Sequence, residues 1–459
     1  MPASWSGTLL ESTPAPDGAV PTSPAVVDQI ERFLQGALRR MPPDAREAAR
    51  AGPGRPRVLP ALALWGGLLV CVLRGFSRQL ALWRLLSQGS FWFYPRVPIS
   101  DQAVYKRLAA GGLEPLQRLW TQISGMLAER LAPYRDQTLA PFAADVVAID
   151  ESTLDQVARS LPVLRGLPPG DARLLPGKLS AVFDLRRQQF RRVEYQANPH
   201  QNEKVAARGL LADLAPGTLV LADLGYFGFA WFDALTDAGS WWISRLRAKT
   251  SFTVVHAFYN DGRVFDGLIW LGKHRADRAA HAVRLVRFTV GGTTYSYVTN
   301  VLDPTTLSLR QIAGLYARRW DLELAFKLIK RSLGLHLLWS AKDVIILQQV
   351  WAVLIIAQIL QALRLEIAAR AGVDPFEVSL PLLVEYLPRY AHEGRDPVAV
   401  FVEHGRALGF IRPSRRTVIR APDLQPEQLC PRPPDVVLVR TPRYAHKDCA
   451  PRSLSANPN

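Results

Sequence analysis

The spacing of apolar and polar positions divides the chain into stretches of different texture. From Val26 to about Ala140 apolar residues recur with helical periodicity, interrupted at Met41–Pro60 by prolines and glycines. Within that stretch Ser77–Leu86 and Ser100–Ala110 read as two short helices, each with a serine placed to cap the first free N–H groups. The aromatic run Phe91-Trp92-Phe93-Tyr94 falls in the loop between them. The middle of the chain changes to short apolar runs separated by turn residues, which predicts an α/β domain. Val146–Asp150 and Leu219–Asp223 are predicted strands, Lys178–Leu185 and Gln189–Tyr195 a hairpin, His200–Leu214 and Phe229–Ala238 helices, and Trp241–Leu246 a further strand. From about Lys249 to Asn300 the pattern is β-rich, with turns at Asn260-Asp261-Gly262 and Gly291-Gly292, and reads as an all-β insertion. A long helix, Leu307–Leu335, and an apolar one, Val344–Ala371, follow. Residues 1–25 read as a flexible tail, and the Pro- and Arg-rich Arg412–Asn459 as loosely structured. No internal repeat is visible.

A length of 459 residues predicts two or more domains, and 48% apolar residues with 21% charged exclude an intrinsically disordered chain. Lys and Arg number 56 against 40 Asp and Glu, for a net charge of +16, and only nine of the 56 are Lys. A GC-rich genome would explain the ratio of Arg to Lys but not the net charge. The excess suggests a polyanionic partner, because guanidinium groups pair with phosphate in bidentate geometry. The three cysteines, Cys71, Cys430 and Cys449, are far apart. That spacing excludes a zinc ribbon and a disulfide framework and fits a reducing, cytoplasmic compartment. No signal-peptide pattern is visible. Val58–Leu73 is too short for a membrane span, and Val344–Leu363 carries Gln348, Gln349, Gln358 and Gln361, so both read as buried helices and no membrane association is expected.

No acidic residue lies between Glu47 and Asp101, an interval that holds seven arginines. A helix pair there, with Gln102, Tyr105, Lys106 and Arg107 on its second member, has the form of a groove-reading unit for DNA. An ordinary helical domain with a solvated polar face fits the same residues.

Two predicted strands share one form, four apolar residues closed by a carboxylate: VVAI-Asp150 and LVLA-Asp223. Continuous apolar runs mark strands buried on both faces, and in open α/β sheets ligands sit beyond the strands' carboxyl ends. Neighbouring strands would bring the two aspartates together there, where a divalent cation would relieve their repulsion. A strand-end aspartate is also a common turn-former. On the long helix Tyr316, Arg319, Glu323 and Lys330 are spaced 3, 4 and 7 apart. On a regular helix they fall within an arc of roughly 60°, which Lys327 extends. A solvated face knitted by Glu–Lys pairs would look similar, although a tyrosine in line with a lone glutamate is unusual on one. A metal-holding carboxylate beside phosphate-holding cations is what phosphodiester chemistry requires. Three carboxylates without Cys or His suit a hard cation such as Mg²⁺.

The spacing Tyr316-x2-Arg319-x3-Glu323-x6-Lys330 resembles the signature of the insertion-sequence-four family of bacterial DDE transposases. Tyr297-Val298-Thr299-Asn300 with Ala313–Lys330 resembles that family's third catalytic block. Asp223-Leu224-Gly225-Tyr226-Phe227, followed by Gly239 and Ile243–Leu246, resembles the second. Ile149-Asp150-Glu151-Ser152 resembles the first, with Glu151 in place of the usual glycine. The likeness spans roughly residues 140–370. It implies an α/β, ribonuclease H-like catalytic core interrupted by a β-rich insertion, beside a helical N-terminal domain. It makes Asp150, Asp223 and Glu323 the catalytic, metal-binding triad for Mg²⁺, with Mn²⁺ able to substitute. Tyr316, Arg319 and Lys330 become contacts to the DNA phosphates. Its members cut double-stranded DNA at inverted-repeat ends of an insertion sequence and join the freed 3′-hydroxyl to target DNA, usually as a dimer or larger assembly.

The resulting organisation is a tail (1–25), a helical DNA-binding region (26–140), a core in two parts (141–248 and 305–371), the β-rich insertion (249–304) and a basic C-terminal region (372–459). Lys327, Arg245 and Arg247 are further candidate DNA contacts, and Lys249 extends the last two into a basic cluster. Glu151 is expected to point away from Asp150 across the strand and is not a ligand; Asp321 and Asp184 are substitute carboxylates. His200 and Asn202 read as structural, as do Trp241 and Trp242. A structure-selective nuclease or an inactive DNA-binding regulator descended from a transposase would share these features. A basic α/β enzyme with no DNA dependence is the remaining alternative.

Overall fold

The computed structural model of the protein describes residues 29–41, 58–76, 78–88, 92, 94–154, 166–168, 177–198, 209, 214–272, 277–333, 339–340, 342–393, 395–414 and 418–444. The expectations placed on residues 1–25, His200, Asn202, Ser77, Phe91, Phe93 and nearly all of the His200–Leu214 helix lie outside them.

The N-terminal periodicity resolves into five helices: α1 (Gln29–Arg40), α2 (Ala61–Leu73), α3 (Gln79–Ser87), α4 (Asp101–Gly111) and α5 (Glu114–Arg130). Ser100 caps α4 by accepting from Ala103 N at 3.2 Å, as its sequence position predicts. On α4, Gln102 and Lys106 face solvent, whereas Arg107 donates to the Leu59 carbonyl and the Tyr105 ring lies under the Lys342 ammonium. Two of the four side chains expected to read a groove are thus engaged within the protein.

A single nine-stranded sheet follows, built from β1 (Val146–Thr153), β2 (Lys178–Asp184), β3 (Gln189–Gln196), β4 (Leu219–Ala222), β5 (Trp241–Arg245), β6 (Phe252–Asn260), β7 (Val264–Leu271), β8 (Val283–Val290) and β9 (Thr293–Thr299). Its order is β3-β2-β1-β4-β5-β9-β8-β7-β6. β1, β4 and β5 run parallel, and every other neighbouring pair is antiparallel. The β-rich stretch does not stand apart: β9 returns to pair with β5, so β6–β9 extend the sheet.

Side chains alternate across a strand, and the two faces sort accordingly. Val147, Ile149, Val220, Ala222, Trp242 and Val298 form one apolar cluster with Phe232 and Trp231 of α6 (Phe229–Asp237). Trp242 stacks on Phe232 with ring centroids 4.1 Å apart, the core role its sequence position suggests. Val146, Ala148, Leu219, Leu221, Ile243 and Tyr297 face the opposite way, into the large core with α7 (Leu309–Ala317), α8 (Trp320–Lys327) and α9 (Asp343–Ala371).

The helix expected at Leu307–Leu335 is not continuous. Ser308 and Gln311 form a reciprocal capping box that starts α7. At Arg318–Arg319 the backbone tightens to i→i−3 bonds, and beyond Lys327 it widens into a π-helical turn over Leu328–Ser332. α9 is apolar and long enough to cross a membrane, yet it is buried among α2, α4, α5 and β3. Its glutamines carry part of that packing. Gln358 bonds both the N–H and the C=O of Phe190 and donates to Ser124, while Gln348 donates to the carbonyls of Leu108 and Gly112. Gly372, in the left-handed conformation at φ 65°, ends α9. Two further helices, α10 (Leu380–His392) and α11 (Pro397–His404), pack against α9.

The segment read as loosely structured is held in place where it is described. Residues 418–444 form a strap over the β6–β9 part of the sheet, with bridges at Arg278–Arg443 and His281–Val439. The Arg440 guanidinium donates to the carbonyls of Leu271, Gly272 and Ala279 and lies over the Trp270 ring, and Tyr444 donates to Asp233 at 2.6 Å. Proline and arginine content removes periodicity but not hydrogen-bonding capacity.

Candidate active site

Strand pairing creates the site. β1 and β4 are parallel neighbours in the register Ile149↔Ala222, so Asp150 and Asp223 stand side by side at the strands' carboxyl ends. Ala148 and Leu221 point into the large core, and the alternation carries Asp150 and Asp223 to that same face. α8 lies against β1 there and supplies Glu323.

The three carboxylates meet at one guanidinium. Arg319 Nη1 is 3.3 Å from Asp150 Oδ2, Nη2 is 2.8 Å from Glu323 Oε1, and Nε is 4.0 Å from Asp223 Oδ1. The Arg319 side chain is only 6% exposed and is flanked by the rings of Tyr316 and Trp320, 5.9 and 5.3 Å from its central carbon. The Tyr316 hydroxyl donates to Asp223 Oδ1 at 3.4 Å.

The electrostatics follow from burial. Withdrawal from water pushes the Asp150 carboxyl up to about 6, with Glu323 and Asp223 adding to the shift, while the Glu151 N–H and Arg319 oppose it. Burial also raises the Tyr316 hydroxyl well above its ordinary value, so it remains a donor. For Arg319, burial disfavours the charge, but Asp223, Tyr316, Asp150 and Glu323 outweigh it and hold the guanidinium above its ordinary value. Three carboxylates around one guanidinium leave two formal negative charges uncompensated.

Among the described residues, no three Asp, Glu, His or Cys stand close enough to hold a metal ion as they are placed. The donor chemistry nonetheless suits one. Three carboxylates from three elements reach a common point, hard oxygen donors of the kind Mg²⁺ or Mn²⁺ takes, and a cationic group already fills that point.

The other predicted residues divide. Arg245, exposed at the end of β5, is near enough for its charge to act on Tyr297 and Tyr316. Arg247, also exposed, donates to the Leu224 carbonyl beside Asp223 and lies over the Phe227 ring. Lys327 is exposed on α8, and Lys330 is half-buried on the π-helical turn. Glu151 points away as its alternation predicts and is taken up by Lys178 and Ser180 of β2. Neither substitute carboxylate belongs to the site: Asp321 is buried against Arg318 and Gln188, and Asp184 pairs with Arg187.

Two contributors were not singled out from the sequence. Trp320, 54% exposed, walls Arg319 on the solvent side, and its only signal was being an aromatic residue one step from the Arg319–Glu323 stripe. Arg284 is fully buried on β8, forms a bidentate pair with Asp266 and donates to the Leu307 carbonyl just before α7. It fixes the β6–β9 part of the sheet to the helix that carries Tyr316. Its strand pattern gave no sign of this.

Paired carboxylates at strand ends, faced by a helix that carries a glutamate and flanked by exposed cations, make an acidic cluster with a basic rim. Residues 169–359 match the transposase DDE domain family, a stretch containing Asp223, Tyr316, Arg319, Glu323 and Lys330, with Asp150 just upstream. The chain is similar to the transposase for insertion sequence element IS231F of Bacillus thuringiensis subsp. israelensis, 31% identical over 109 residues, 24% of this chain and 22% of that protein. It is also similar to the transposase for IS231E of Bacillus thuringiensis subsp. finitimus, 29% identical over 113 residues, 24% of this chain and 23% of that one. These alignments span under a quarter of the relatives' length. A solved piggyBac transposase synaptic complex with hairpin DNA aligns over 84% of this chain and 83% of its own at a TM-score of 0.39 and 9% identity. Residues 169–359 are thus similar to a transposase DDE domain, and about a quarter of the chain is similar to bacterial insertion-sequence transposases.

Proposed function

We propose that the protein is a transposase of the insertion-sequence-four type, cutting at the inverted-repeat ends of its element and joining the 3′-hydroxyl ends to target DNA. The observation that carries this reading is the convergence of Asp150, Asp223 and Glu323, from three separate elements, on one buried point. The strand order β3-β2-β1-β4-β5, with β1, β4 and β5 parallel, supports a ribonuclease H-like core over residues 141–248 and 305–371, with 249–304 inserted. In this reading residues 26–140 bind DNA, and residues 372–459 brace the β-rich part.

Asp150, Asp223 and Glu323 would hold Mg²⁺ or Mn²⁺, which when bound activates the nucleophile and stabilises the leaving oxygen. The chain's own groups position the DNA. Arg245, Arg247 and Lys327, all exposed beside the carboxylates, attract the strand, and Arg319 offers a fork matched to a phosphate. Tyr316, kept protonated, orients Asp223 through its hydroxyl. The DNA-bound form is a homodimer or larger assembly, acting in the cytoplasm.

The test is a Mg²⁺- or Mn²⁺-dependent cleavage and joining assay on the gene's own flanking DNA, comparing wild type with Glu323→Gln. Repeat-end cleavage with joined product, lost in the variant, is expected. Cleavage without joining would point instead to a structure-selective nuclease, and specific binding without cleavage to a regulator.

A further inference from the structure

The position of Arg319 is unusual for a group whose partner is DNA. Its guanidinium is buried and lies between the three carboxylates, at hydrogen-bond distance from Glu323. A divalent cation such as Mg²⁺ would take the same oxygens at roughly 2.0–2.1 Å. Cation and guanidinium therefore compete for one space. Arg319 is also incompletely satisfied there, since Nε has no hydrogen-bond acceptor and its nearest carboxylate oxygen, on Asp223, is 4.0 Å away. A phosphodiester delivered over the exposed Arg245, Arg247 and Lys327 could accept both edges of the fork.

We propose that Arg319 plugs the cation position in the DNA-free protein and that bound DNA phosphate draws it out, so that DNA binding and metal loading reinforce each other. The proposal rests on the metal-site reading above. Its physical content is linkage. If Arg319 must leave before a cation enters, and phosphate stabilises the displaced arginine, then DNA raises metal affinity and metal raises DNA affinity by the same factor. The device keeps the protein from holding a loaded site while unattached to DNA, which guards against indiscriminate cutting.

The experiment measures Mn²⁺ affinity of the full chain by electron paramagnetic resonance, which reads free Mn²⁺ and requires no turnover. Wild type, Arg319→Gln and Asp150→Asn are titrated with Mn²⁺ alone and with a duplex from the gene's flanks, and circular dichroism checks each fold. Arg319→Gln is expected to bind Mn²⁺ at least about fivefold more tightly than wild type without DNA, the lower end of ordinary coupling. Wild type is expected to tighten by a similar factor when the duplex is added, a readout that needs no variant, and Arg319→Gln to respond little. Equal Mn²⁺ affinity of wild type and Arg319→Gln without DNA, with binding still lost in Asp150→Asn, overturns the plug and leaves the metal site standing. Mn²⁺ binding that is absent throughout, or that survives Asp150→Asn, overturns the metal-site reading and the proposal with it.

Discussion

Removing one partner of the Arg284–Asp266 pair tests how the sheet and helix α7, which carries Tyr316, are joined. Both side chains are buried, at 0% and 1% exposure, with two bonds of 2.6 Å between them. Arg284 adds bonds to the carbonyls of Leu307 and Asp303, at the entrance to α7. Asp266→Ala leaves a guanidinium in an apolar interior without its counter-charge. Such losses cost about 3–5 kcal/mol, more than the net worth of the pair itself, because the remaining charge has no compensation. At about 2.1 cal/mol/K per residue over 459 residues, that corresponds to a fall in Tm of roughly 3–5 °C. Arg284→Met strands the carboxylate instead and also frees the Leu307 carbonyl, so it should cost at least as much. The double variant Arg284→Met/Asp266→Leu removes both charges and should cost less than either single change. Thermal and urea unfolding of the four proteins measure this. Single variants that each lose under about 1 kcal/mol, or a double variant that loses the sum of the two, would refute the reasoning.

Further outcomes follow from the same geometry. Gln358→Leu deprives the Phe190 N–H and C=O of their partners inside the protein and should cost about 2 kcal/mol or more by urea unfolding. Ser308→Ala removes the capping box of α7 at about 1 kcal/mol, and Ser308→Thr should recover most of that in the same assay. Arg247→Ala should weaken DNA binding and flatten the plot of log affinity against log salt by about one unit, measured by fluorescence anisotropy; an unchanged slope would remove Arg247 from the DNA path. Gly372→Ala forces a side chain into the left-handed region at φ 65° and should lower stability by about 1 kcal/mol, read from thermal unfolding.

The two aspartate-ended runs were legible as buried strands because a strand covered on both faces needs apolar residues at every position, and VVAI and LVLA have them. Their adjacency was an expectation from fold rules, and the register Ile149↔Ala222 supplies it. Glu151's orientation followed from simple alternation, and Lys178 and Ser180 are where that alternation sends it. The break at Arg318–Arg319 could not be read, because no glycine or proline falls between Leu315 and Leu333. Tertiary partners hold it instead: Arg318 reaches Asp136 at 3.9 Å, while Arg319 turns to the strand-end carboxylates. For the same reason the stripe from Tyr316 to Lys330 correctly grouped Tyr316, Arg319 and Glu323 but could not show that Arg319 fills the space between the carboxylates. The strap at residues 418–444 escaped notice because its stability comes from single backbone and arginine bonds to the sheet rather than from a repeating apolar face.

The late position of α9 in the chain has a consequence for biosynthesis. This helix, residues 343–371, is the surface on which α2, α4, α5 and β3 all rest, so those earlier elements leave the ribosome with their apolar faces uncovered. A nascent chain that has already made all nine strands still lacks the element that joins them to the N-terminal helices. Folding is therefore completed by long-range docking, which is slow and exposes sticky intermediates. Products terminated before residue 343 should be recovered as aggregates bound by chaperones. Premature termination would then silence the gene product outright, with no half-assembled chain left in solution.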